Sequence, residues 1–521
     1  MFSRNAGWRE KVNLGKIFEA KDISGEIKQS SEVCIIGSGA GGAVVAKELA
    51  EYGHEVVLIE EGSRWTKENY PRDPIMVFRK MYRDSGGSVT IGKPPVLLPI
   101  GKALGGTTKV NSGTCLRTPD KVLHRWRREF GLEGVEPDQM RPYFERVEKI
   151  VSATPVGKEI MGRNNEIFLE GAKKLGYSAG PLIRNANENC HGCGICTLGC
   201  PTDGKRSTDL NYIPQAVSFG ARVYCEARAE KIIVKDGQIS GIEGSILDPE
   251  SGKPKTRFSV TCKILVLCAG AIHTPLLLKR NGLANSSGQV GKNLRIHPGI
   301  RVSAIFDQDI NGYLGVPQSA YVDEFADEGI MMEGVFVVPF LTAPMLPFLG
   351  EKNKELMFHY KNIAAFGAMI MDETRGTVFQ GPFGLPLIRY QLCDEDIKKA
   401  SRAVAYASEI WLAAGAKRVF PAVCWMPEIN SIKQVRTLIQ RGIRPGELEM
   451  MAFHPMGTCQ MGAERRTSVV DPYGESWDVK NLFIADASIF PTCLGVNPME
   501  SIMAFANRTA DYIHRMKLNS A

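Results

Sequence analysis

A glycine-rich stretch near the start of the chain constrains the fold more than any other feature. Residues 33–42 read VCIIGSGAGG, an apolar run that enters a glycine turn and continues with helical character. In such a strand–turn–helix unit, Gly37 permits the turn, Gly39 lets the backbone approach a pyrophosphate, and Gly42 lets the helix pack on the strand. Unpaired amides at the helix start attract an anion. The stretch therefore predicts a parallel sheet with a dinucleotide site at its edge.

A second apolar run supports the same interpretation. Residues 55–59, EVVLI, lead into Glu60, which lies 23 residues after Gly37. An acid at about this position hydrogen-bonds ribose hydroxyls, and it argues against the 2′-phosphate of NADP. The chain is therefore expected to bind FAD or NAD. The predicted cofactor-binding residues in this unit are Gly37, Ser38, Gly39, Gly42 and Glu60.

Length, charge and cysteine count narrow the remaining classes. The chain has 521 residues, more than one compact core accommodates, so at least two domains are expected. A formal charge of +7, not gathered in a tract, gives no support for nucleic-acid binding. Residues 1–28 are polar, without the apolar core of a secretory signal, and no transmembrane segment is expected. The odd number of cysteines, 13, favours reduced thiols and a cytoplasmic protein.

Pieces of the same pattern recur far apart in the chain. Apolar runs at 264–269 and 481–485 lead to a glycine and to an acid, and strand-like segments with one long helix, 394–414, lie between them. We predict an α/β protein with a discontinuous Rossmann-type domain and an α+β substrate domain, containing an antiparallel sheet, built from insertions. The predicted limits are 31–120, 205–300 and 445–521 for the cofactor domain, 121–204 and 301–444 for the substrate domain, and 1–30 for an N-terminal extension.

Five sequence blocks carry a resemblance to a known family. They are GSGAGG with Glu60, GKALGGTTKVNSG at 101–113, CAGAIHTPLLLKRNGL at 268–283, VGKNLRIHP at 290–298, and AFHPMGTCQMG at 452–462 followed by ADASIFPTCLGVNP at 485–498. In order and spacing they resemble the glucose-methanol-choline (GMC) family of FAD-dependent oxidoreductases over nearly the whole chain. The resemblance implies an FAD-binding domain, a substrate domain over the flavin, and oxidation of an alcohol. An NAD-dependent dehydrogenase shares the first block but does not need the other four.

The resemblance also assigns residues to the flavin. Gly105 and Gly106 would let backbone amides reach the diphosphate and the ring, and Asn111 would offer its amide to the isoalloxazine. Asp486 resembles the family's aspartate near the ribityl chain. Ala487 and Pro498 complete the predicted cofactor-binding set.

Two residues are predicted to act on the alcohol. His454 stands where the family places its active-site histidine, and Asn497 matches the second active-site position, which is histidine or asparagine. The hydroxyl proton must leave as the α-hydrogen passes as hydride to the flavin N5 atom, and a neutral imidazole with an unperturbed pKa near ~6.5 can accept that proton. The amide of Asn497 cannot act as a base, but it can hold the substrate oxygen. His297, in the fourth block, is expected to be structural.

Four cysteines are clustered rather than scattered. Cys190, Cys193, Cys196 and Cys200, followed by a proline, have the spacing of a bacterial ferredoxin loop. Three interpretations stay open: an iron–sulfur cluster that relays electrons from the flavin, a structural zinc or disulfide knot, and packed cysteines without a ligand. The segment resembles the cysteine-rich segments of long-chain alcohol oxidases and bacterial FAD-dependent dehydrogenases. A cluster would favour a dehydrogenase over an oxidase, because it takes electrons singly.

Substrate and electron acceptor are less constrained. Residues 334–350, GVFVVPFLTAPMLPFLG, are free of charge and are interpreted as a core strand followed by a proline-rich loop, with an apolar lid or membrane-docking loop as the alternative. An apolar long-chain alcohol or a sterol is the favoured substrate, and a sugar or polyol is the runner-up. An electron-acceptor protein or a quinone is the expected partner, and peripheral membrane contact is an open alternative. A non-catalytic flavoprotein that carries electrons is the alternative from another class.

Overall fold

The computed structural model describes residues 15–519, and its core consists of two eight-stranded sheets. The first sheet contains the glycine-rich stretch. Its strands in spatial order are Lys16–Phe18, Arg222–Tyr224, Val56–Ile59, Ile27–Ile36, Pro254–Leu267, Gln238–Leu247 and Ala227–Lys235, and Leu482–Ile484 also pairs with Pro254–Leu267.

The glycine-rich stretch lies in the parallel part of this sheet. Ile27–Ile36 pairs in parallel with Val56–Ile59 on one side and with Pro254–Leu267 on the other. The helix Gly42–Glu51 connects the first two strands, so the predicted βαβ unit is confirmed. The central strands are buried on both faces, which explains why the sequence there reads as continuous apolar runs without alternation.

The second sheet is almost entirely antiparallel. Its strands in spatial order are Val96–Leu97, Met450–Met451, Gly299–Ile305, Ile363–Ile370, Ile330–Gly334, Ala320–Val322 and Ala179–Pro181, with Arg418–Phe420 beside Gly299–Ile305. The long helix Asp394–Ala414 packs on this sheet, and its buried Trp411 donates its indole N–H to the Val302 carbonyl at 3.1 Å. The predicted α/β fold, with a Rossmann-type part and a second sheet covered by helices, is confirmed.

Helices cover both sheets. The α-helices of the described residues are Gly42–Glu51, Pro74–Met81, Asp120–Phe130, Pro137–Val151, Lys158–Met161, Arg163–Lys174, Tyr212–Ser218, Gly270–Arg280, Pro339–Thr342, Glu351–Phe358, Asp394–Ala414, Ile432–Arg441 and Met499–Ile513. Two further strand pairs are Thr377–Gln380 with Pro386–Arg389 and Ala153–Pro155 with Ile183–Asn185. Among the described helices, none has both the length and the apolar character that crossing a bilayer requires.

The strands do not follow the predicted domain limits at every point. Lys16–Phe18 belongs to the first sheet although it lies in the predicted extension 1–30. Val96–Leu97 and Met450–Met451 belong to the second sheet although they lie within the predicted cofactor domain. Residues 1–14 of the extension fall outside the described residues, and the domain limits stay a prediction.

The apolar segment 334–350 differs from its interpretation. The strand Ile330–Gly334 ends where the segment begins, and a helical turn, Pro339–Thr342, follows. Proline has no N–H to donate to a strand ladder, so the three prolines of this segment oppose a strand. The predicted strand therefore ends at Gly334, and the proline-containing remainder forms a helical turn and loop in which Phe340 and Leu349 are 43% and 92% exposed.

Candidate active site

The glycine turn is held by close backbone packing at the edge of the first sheet. Gly37 has a φ of +99°, and a Cβ there would lie 2.3 Å from the carbonyl oxygen of Cys268. A Cβ at Gly42 would lie 1.8 Å from the carbonyl oxygen of Gly37. Both positions therefore require glycine. At Gly39 the nearest atom to a Cβ would be Cα of Gly106, at 3.9 Å, so two predicted cofactor loops meet at this point.

Glu60 joins these two loops. Its carboxylate accepts hydrogen bonds from the amide and hydroxyl of Ser38, at 2.9 and 2.6 Å, and from the amide of Gly62 at 2.7 Å. The Ser38 hydroxyl accepts in turn from the amide of Gly105 at 2.9 Å. Burial raises the pKa of Glu60, and its hydrogen bonds oppose that shift. The predicted ribose acid thus lies where the glycine turn, the second strand and the second block converge.

The second block leads from this point to Asn111. Gly105 and Gly106 have φ values of +96° and +55°, a backbone that glycine adopts without strain. The Asn111 side-chain amide donates to Sδ of Met499 at 3.1 Å. Its carbonyl oxygen Oδ1 is buried and has no hydrogen-bond partner among the described residues. A bound group that offers a donor there would satisfy it.

Asp486 anchors the third and fifth blocks to each other. Its carboxylate accepts from the amide of Gly270 at 2.9 Å, from the hydroxyl of Thr274 at 2.6 Å and from the amide of Ser488 at 2.8 Å. Burial raises the pKa of Asp486, against these hydrogen bonds. Besides its predicted role beside the flavin, Asp486 therefore holds these two blocks together.

His454 and Asn497 meet from segments 43 residues apart in the chain, with Nε2 of the imidazole 3.5 Å from Nδ2 of the amide. Next to them, Pro498 begins the turn into the helix Met499–Ile513, and the carbonyl of Ala487 accepts from the amide of Gly457 at 3.0 Å. These contacts tie the predicted catalytic pair to two of the predicted cofactor residues.

The predicted catalytic pair carries polar atoms without hydrogen-bond partners among the described residues. Nδ1 of His454 and Oδ1 of Asn497 are buried without a hydrogen-bond partner among the described residues, although His454 as a whole keeps partial exposure. Burial lowers the pKa of His454 to about 4, so the ring is neutral at pH 7. A neutral imidazole beside an oriented amide is an arrangement that can bind a hydroxyl group and accept its proton.

A buried glutamate completes this group, and sequence reasoning missed it. Glu333, in the strand Ile330–Gly334, accepts a hydrogen bond from Nδ2 of Asn497 at 3.1 Å and a short one from Nε2 of Gln318. Its Oε1 atom is buried and has no hydrogen-bond partner within residues 15–519, and burial raises the pKa of Glu333 to about 7. The only signal in the sequence was one acid inside an apolar strand, IMMEG.

His297 supports the loop that carries Asn497. Its Nε2 accepts from the amides of Leu494 and Gly495, at 3.1 and 2.9 Å. Its ring packs edge-on against His454, with the ring centroids 5.5 Å apart. The φ of His297 is +48°, an uncommon conformation for a residue other than glycine. These contacts agree with the structural role expected for His297.

The four cysteines lie in one loop that faces the protein surface. All are free thiols, with Cys193 exposed and the other three half-buried. A guanidinium nitrogen of Arg184 donates to Sγ of Cys196, and the backbone amide of Lys205 donates to Sγ of Cys200, each at 3.3 Å. Neither basic residue was singled out in the sequence, because each lies outside the cysteine spacing that draws attention.

Comparison with known proteins places this geometry in a family. Two GMC oxidoreductase family models match residues 78–299 and 373–506, and an NAD(P)-binding Rossmann-like domain model matches residues 35–66. A solved formate oxidase of Aspergillus oryzae, from work on its FAD modification, shares the fold, with a TM-score of 0.72 and 17% identity over 95% of this chain and 100% of its own.

Two curated relatives match most of the sequence. An uncharacterized GMC-type oxidoreductase of Mycobacterium tuberculosis is 38% identical over 483 residues, which are 92% of this chain and 75% of the relative. A long-chain-alcohol oxidase of Arabidopsis thaliana is 28% identical over 525 residues, 94% of this chain and 68% of that enzyme. The chain belongs to the GMC oxidoreductases, the FAD-dependent enzymes that act on the CH–OH group of their substrates.

Proposed function

We propose that this enzyme oxidises a primary or secondary alcohol to an aldehyde or ketone, with His454 and Asn497 as its catalytic pair. The observation that carries the proposal is the approach of Nε2 of His454 to Nδ2 of Asn497, 3.5 Å apart, which allows one hydroxyl oxygen to contact both atoms. In addition, Nδ1 of His454 and the Oδ1 atoms of Asn497 and Asn111 are buried without a partner among the described residues, at a cost of about 1–3 kcal/mol for each atom. A bound substrate and a bound flavin can supply partners for such atoms.

The residues at the edge of the first sheet suit FAD. The proposed cofactor-binding residues are Gly37, Ser38, Gly39, Gly42, Glu60, Gly105, Gly106, Asn111, Asp486, Ala487 and Pro498. The Glu60 carboxylate suits a ribose, and the unpaired Oδ1 of Asn111 suits a ring N–H. FAD, when bound, supplies the acceptor for the hydride that leaves the alcohol carbon.

His454 is the proposed acceptor of the hydroxyl proton. One hydrogen of the Asn497 amide is donated to Glu333, and the other is directed towards Nε2 of His454, 3.5 Å away. A substrate oxygen between the two groups would accept from the amide while it gives its proton to the imidazole. The hydroxyl becomes acidic only as the hydride departs, so an imidazole of low pKa suffices when both bonds break together.

Glu333 is the proposed positioning residue of the pair. Its hydrogen bond fixes which edge of the Asn497 amide faces the substrate. With a pKa raised to about 7 by burial, the carboxyl group ionises near neutral pH, and the ionised form accepts the amide hydrogen more strongly.

An apolar substrate, a long-chain alcohol or a sterol, is favoured over a sugar or polyol. A surface groove of about 340 Å³ is lined by apolar side chains that include Ile75, Phe78 and Phe340. Phe78 stacks on Tyr82, and both pack in an apolar cluster with Val110, the neighbour of Asn111. We propose that this groove receives the apolar part of the substrate, and its exposed rim fits peripheral contact with a membrane.

A dehydrogenase that passes electrons to a protein or a quinone is favoured over an oxidase. The cysteine spacing supports an iron–sulfur cluster on Cys190, Cys193, Cys196 and Cys200, with zinc or ligand-free cysteines as the alternatives. All thirteen cysteines are free thiols, which fits a reducing compartment such as the cytoplasm.

Anaerobic reduction by a panel of alcohols tests the proposal. Purified holoenzyme is mixed with long-chain alcohols, sterols and polyols while the flavin absorbance is followed. We expect bleaching by an apolar alcohol and a ketone or aldehyde product. If no alcohol bleaches a fully loaded flavin, the electron-carrier alternative replaces the enzyme.

A further inference from the structure

Two buried cations lie beside the cysteine loop without an acidic partner. Arg184 and Lys205 are 1% and 2% exposed, and neither forms an ion pair with a carboxylate in the part of the chain that the structure describes. The neighbouring buried lysine, Lys109, by contrast forms an ion pair with Asp209, with Nζ 2.5 Å from Oδ2. An unpaired buried charge costs several kcal/mol. A negatively charged group beside the two cations would offset this cost.

Both residues contact sulfur atoms of the loop, Arg184 through its guanidinium group and Lys205 through its backbone amide, while the ammonium group of Lys205 donates to backbone carbonyls. Arg184 donates through Nη2 to Sγ of Cys196 at 3.3 Å, while its Nη1 is buried and finds no partner in the described part of the chain. The backbone amide of Lys205 donates to Sγ of Cys200 at 3.3 Å. A neutral thiol would leave both cations uncompensated, whereas metal-bound thiolates carry the missing negative charge.

The donor set of the loop suits a metal centre with thiolate ligands. Four cysteines with the spacing of a ferredoxin loop can hold an iron–sulfur cluster, and a tetrahedral set of sulfur ligands also suits zinc. The metal content of the protein separates these two centres.

We infer that Arg184 and Lys205 are built-in counter-cations of an anionic iron–sulfur cluster held by the four loop cysteines. The inference rests on the proposed function for its source of electrons. Four thiolates give such a cluster a net negative charge, which the two cations offset inside the protein. Left-handed glycines at 192, 194 and 199, with φ of +66°, +79° and +96°, turn the loop between successive cysteines.

Lys205 also connects this loop to the flavin side of the active site. Its Nζ donates to the carbonyl of Asn111 at 2.6 Å and to the carbonyl of Cys196 at 3.1 Å. One lysine side chain thus spans the distance between the proposed flavin-binding loop and the cysteines. The cysteine loop therefore neighbours the proposed flavin-binding loop, as an exit for electrons from the flavin would require.

The redox balance identifies the class of partner. Oxidation of one alcohol breaks an O–H and a C–H bond, forms a C=O bond and releases two protons and two electrons. A cluster passes electrons one at a time. The external acceptor therefore takes electrons one at a time, as a haem protein, an iron–sulfur protein or a quinone can, and it takes up two electrons for each alcohol.

Metal analysis of the full chain tests the inference. After anaerobic purification, iron, acid-labile sulfide, zinc and FAD are measured per chain. We expect about four iron and four sulfide per chain, as in a [4Fe–4S] centre. Cys193→Ser should lose iron and keep FAD, whereas Cys424→Ser, which removes another exposed thiol, should keep both.

Charge variants separate the counter-cation role from packing. Arg184→Met removes the charge and should lower the iron retained, while Arg184→Lys keeps a cation and should retain more iron than Arg184→Met. Full FAD loading in each variant shows that the fold is intact. Lys205→Met should likewise lower the iron retained per chain.

Three results would overturn the inference: FAD-loaded enzyme without iron, one zinc per chain in place of iron, or Arg184→Met with the wild-type iron content. None of them bears on bleaching of the flavin by alcohols, so failure here is distinguishable from failure of the proposed function.

Discussion

The proposed cofactor side and the proposed substrate side of the active site are built in different ways. On the cofactor side, Gly37 and Gly42 are required by backbone crowding, and Glu60 is held by three hydrogen bonds. On the substrate side, His454 and Asn497 meet through their side chains, with Glu333 behind the amide. The first arrangement tolerates no change of backbone, whereas the second can vary one side chain at a time. Substrate preference is therefore expected to reside on the second side.

The largest expected effect separates chemistry from cofactor binding. His454→Ala should lower kcat by about 10²–10⁴-fold, the usual contribution of a general base, while FAD stays bound. His124→Ala, at an exposed position, is the matched control and should change neither quantity. Loss of FAD from His454→Ala would mean that the two sides are not separable.

A glycine substitution on the cofactor side should instead remove FAD from the protein. Gly37→Ala places a Cβ against the Cys268 carbonyl and strains a φ of +99°, so we expect loss of FAD together with lower stability. Gly53→Ala is the control, because Gly53 has a similar φ of +88° but open space around its Cβ position. It should cost only the backbone strain, about 1 kcal/mol in thermal or denaturant unfolding, with FAD retained. Equal effects of the two variants would contradict the crowding argument.

The pH dependence tests the role of Glu333. Burial raises the pKa of its carboxyl to about 7, so the group is protonated below that pH and ionised above it. Since the ionised form holds Asn497 more strongly, kcat/KM should rise through pH 7. Glu333→Gln should flatten this rise and lower kcat/KM roughly tenfold at pH 8, the equivalent of about 1.4 kcal/mol. His454, with a pKa of about 4, should stay neutral throughout that range. An unchanged profile in Glu333→Gln would remove Glu333 from the mechanism.

The smallest expected effect concerns the apolar groove. Phe340→Ser shortens an apolar wall and should raise KM for a long-chain alcohol about three- to tenfold, with kcat nearly unchanged. Phe358→Ser removes an exposed aromatic side chain outside the groove lining and should leave KM unchanged. The same KM shift in both variants would argue that the groove does not receive the substrate.

The cofactor side could be predicted from the sequence because it depends on residues that lie close together in the chain. The turn at 37–42 and the acid at Glu60 each follow from a strand, a glycine and a short spacing, and both lie where expected. The long helix Asp394–Ala414 was likewise predicted from its periodicity with the same bounds.

The substrate side could not be predicted in this way, because its residues come from distant segments of the chain. His454 and Asn497 were named through resemblance alone, since a histidine before a proline in an apolar run is otherwise typical of a core residue. Glu333 escaped notice because its partners come from 15 and 164 residues away in the chain. In the segment 334–350 the strand ends at Gly334, earlier than the apolar composition indicates, and the prolines lie in the turn and loop that follow.

Anaerobic bleaching of the flavin by a long-chain alcohol, compared between wild type and His454→Ala at equal FAD content, tests the central claim most directly. We predict rapid bleaching in the wild type and bleaching slower by two or more orders of magnitude in the variant. Equal rates in the two proteins would contradict the proposed role of His454.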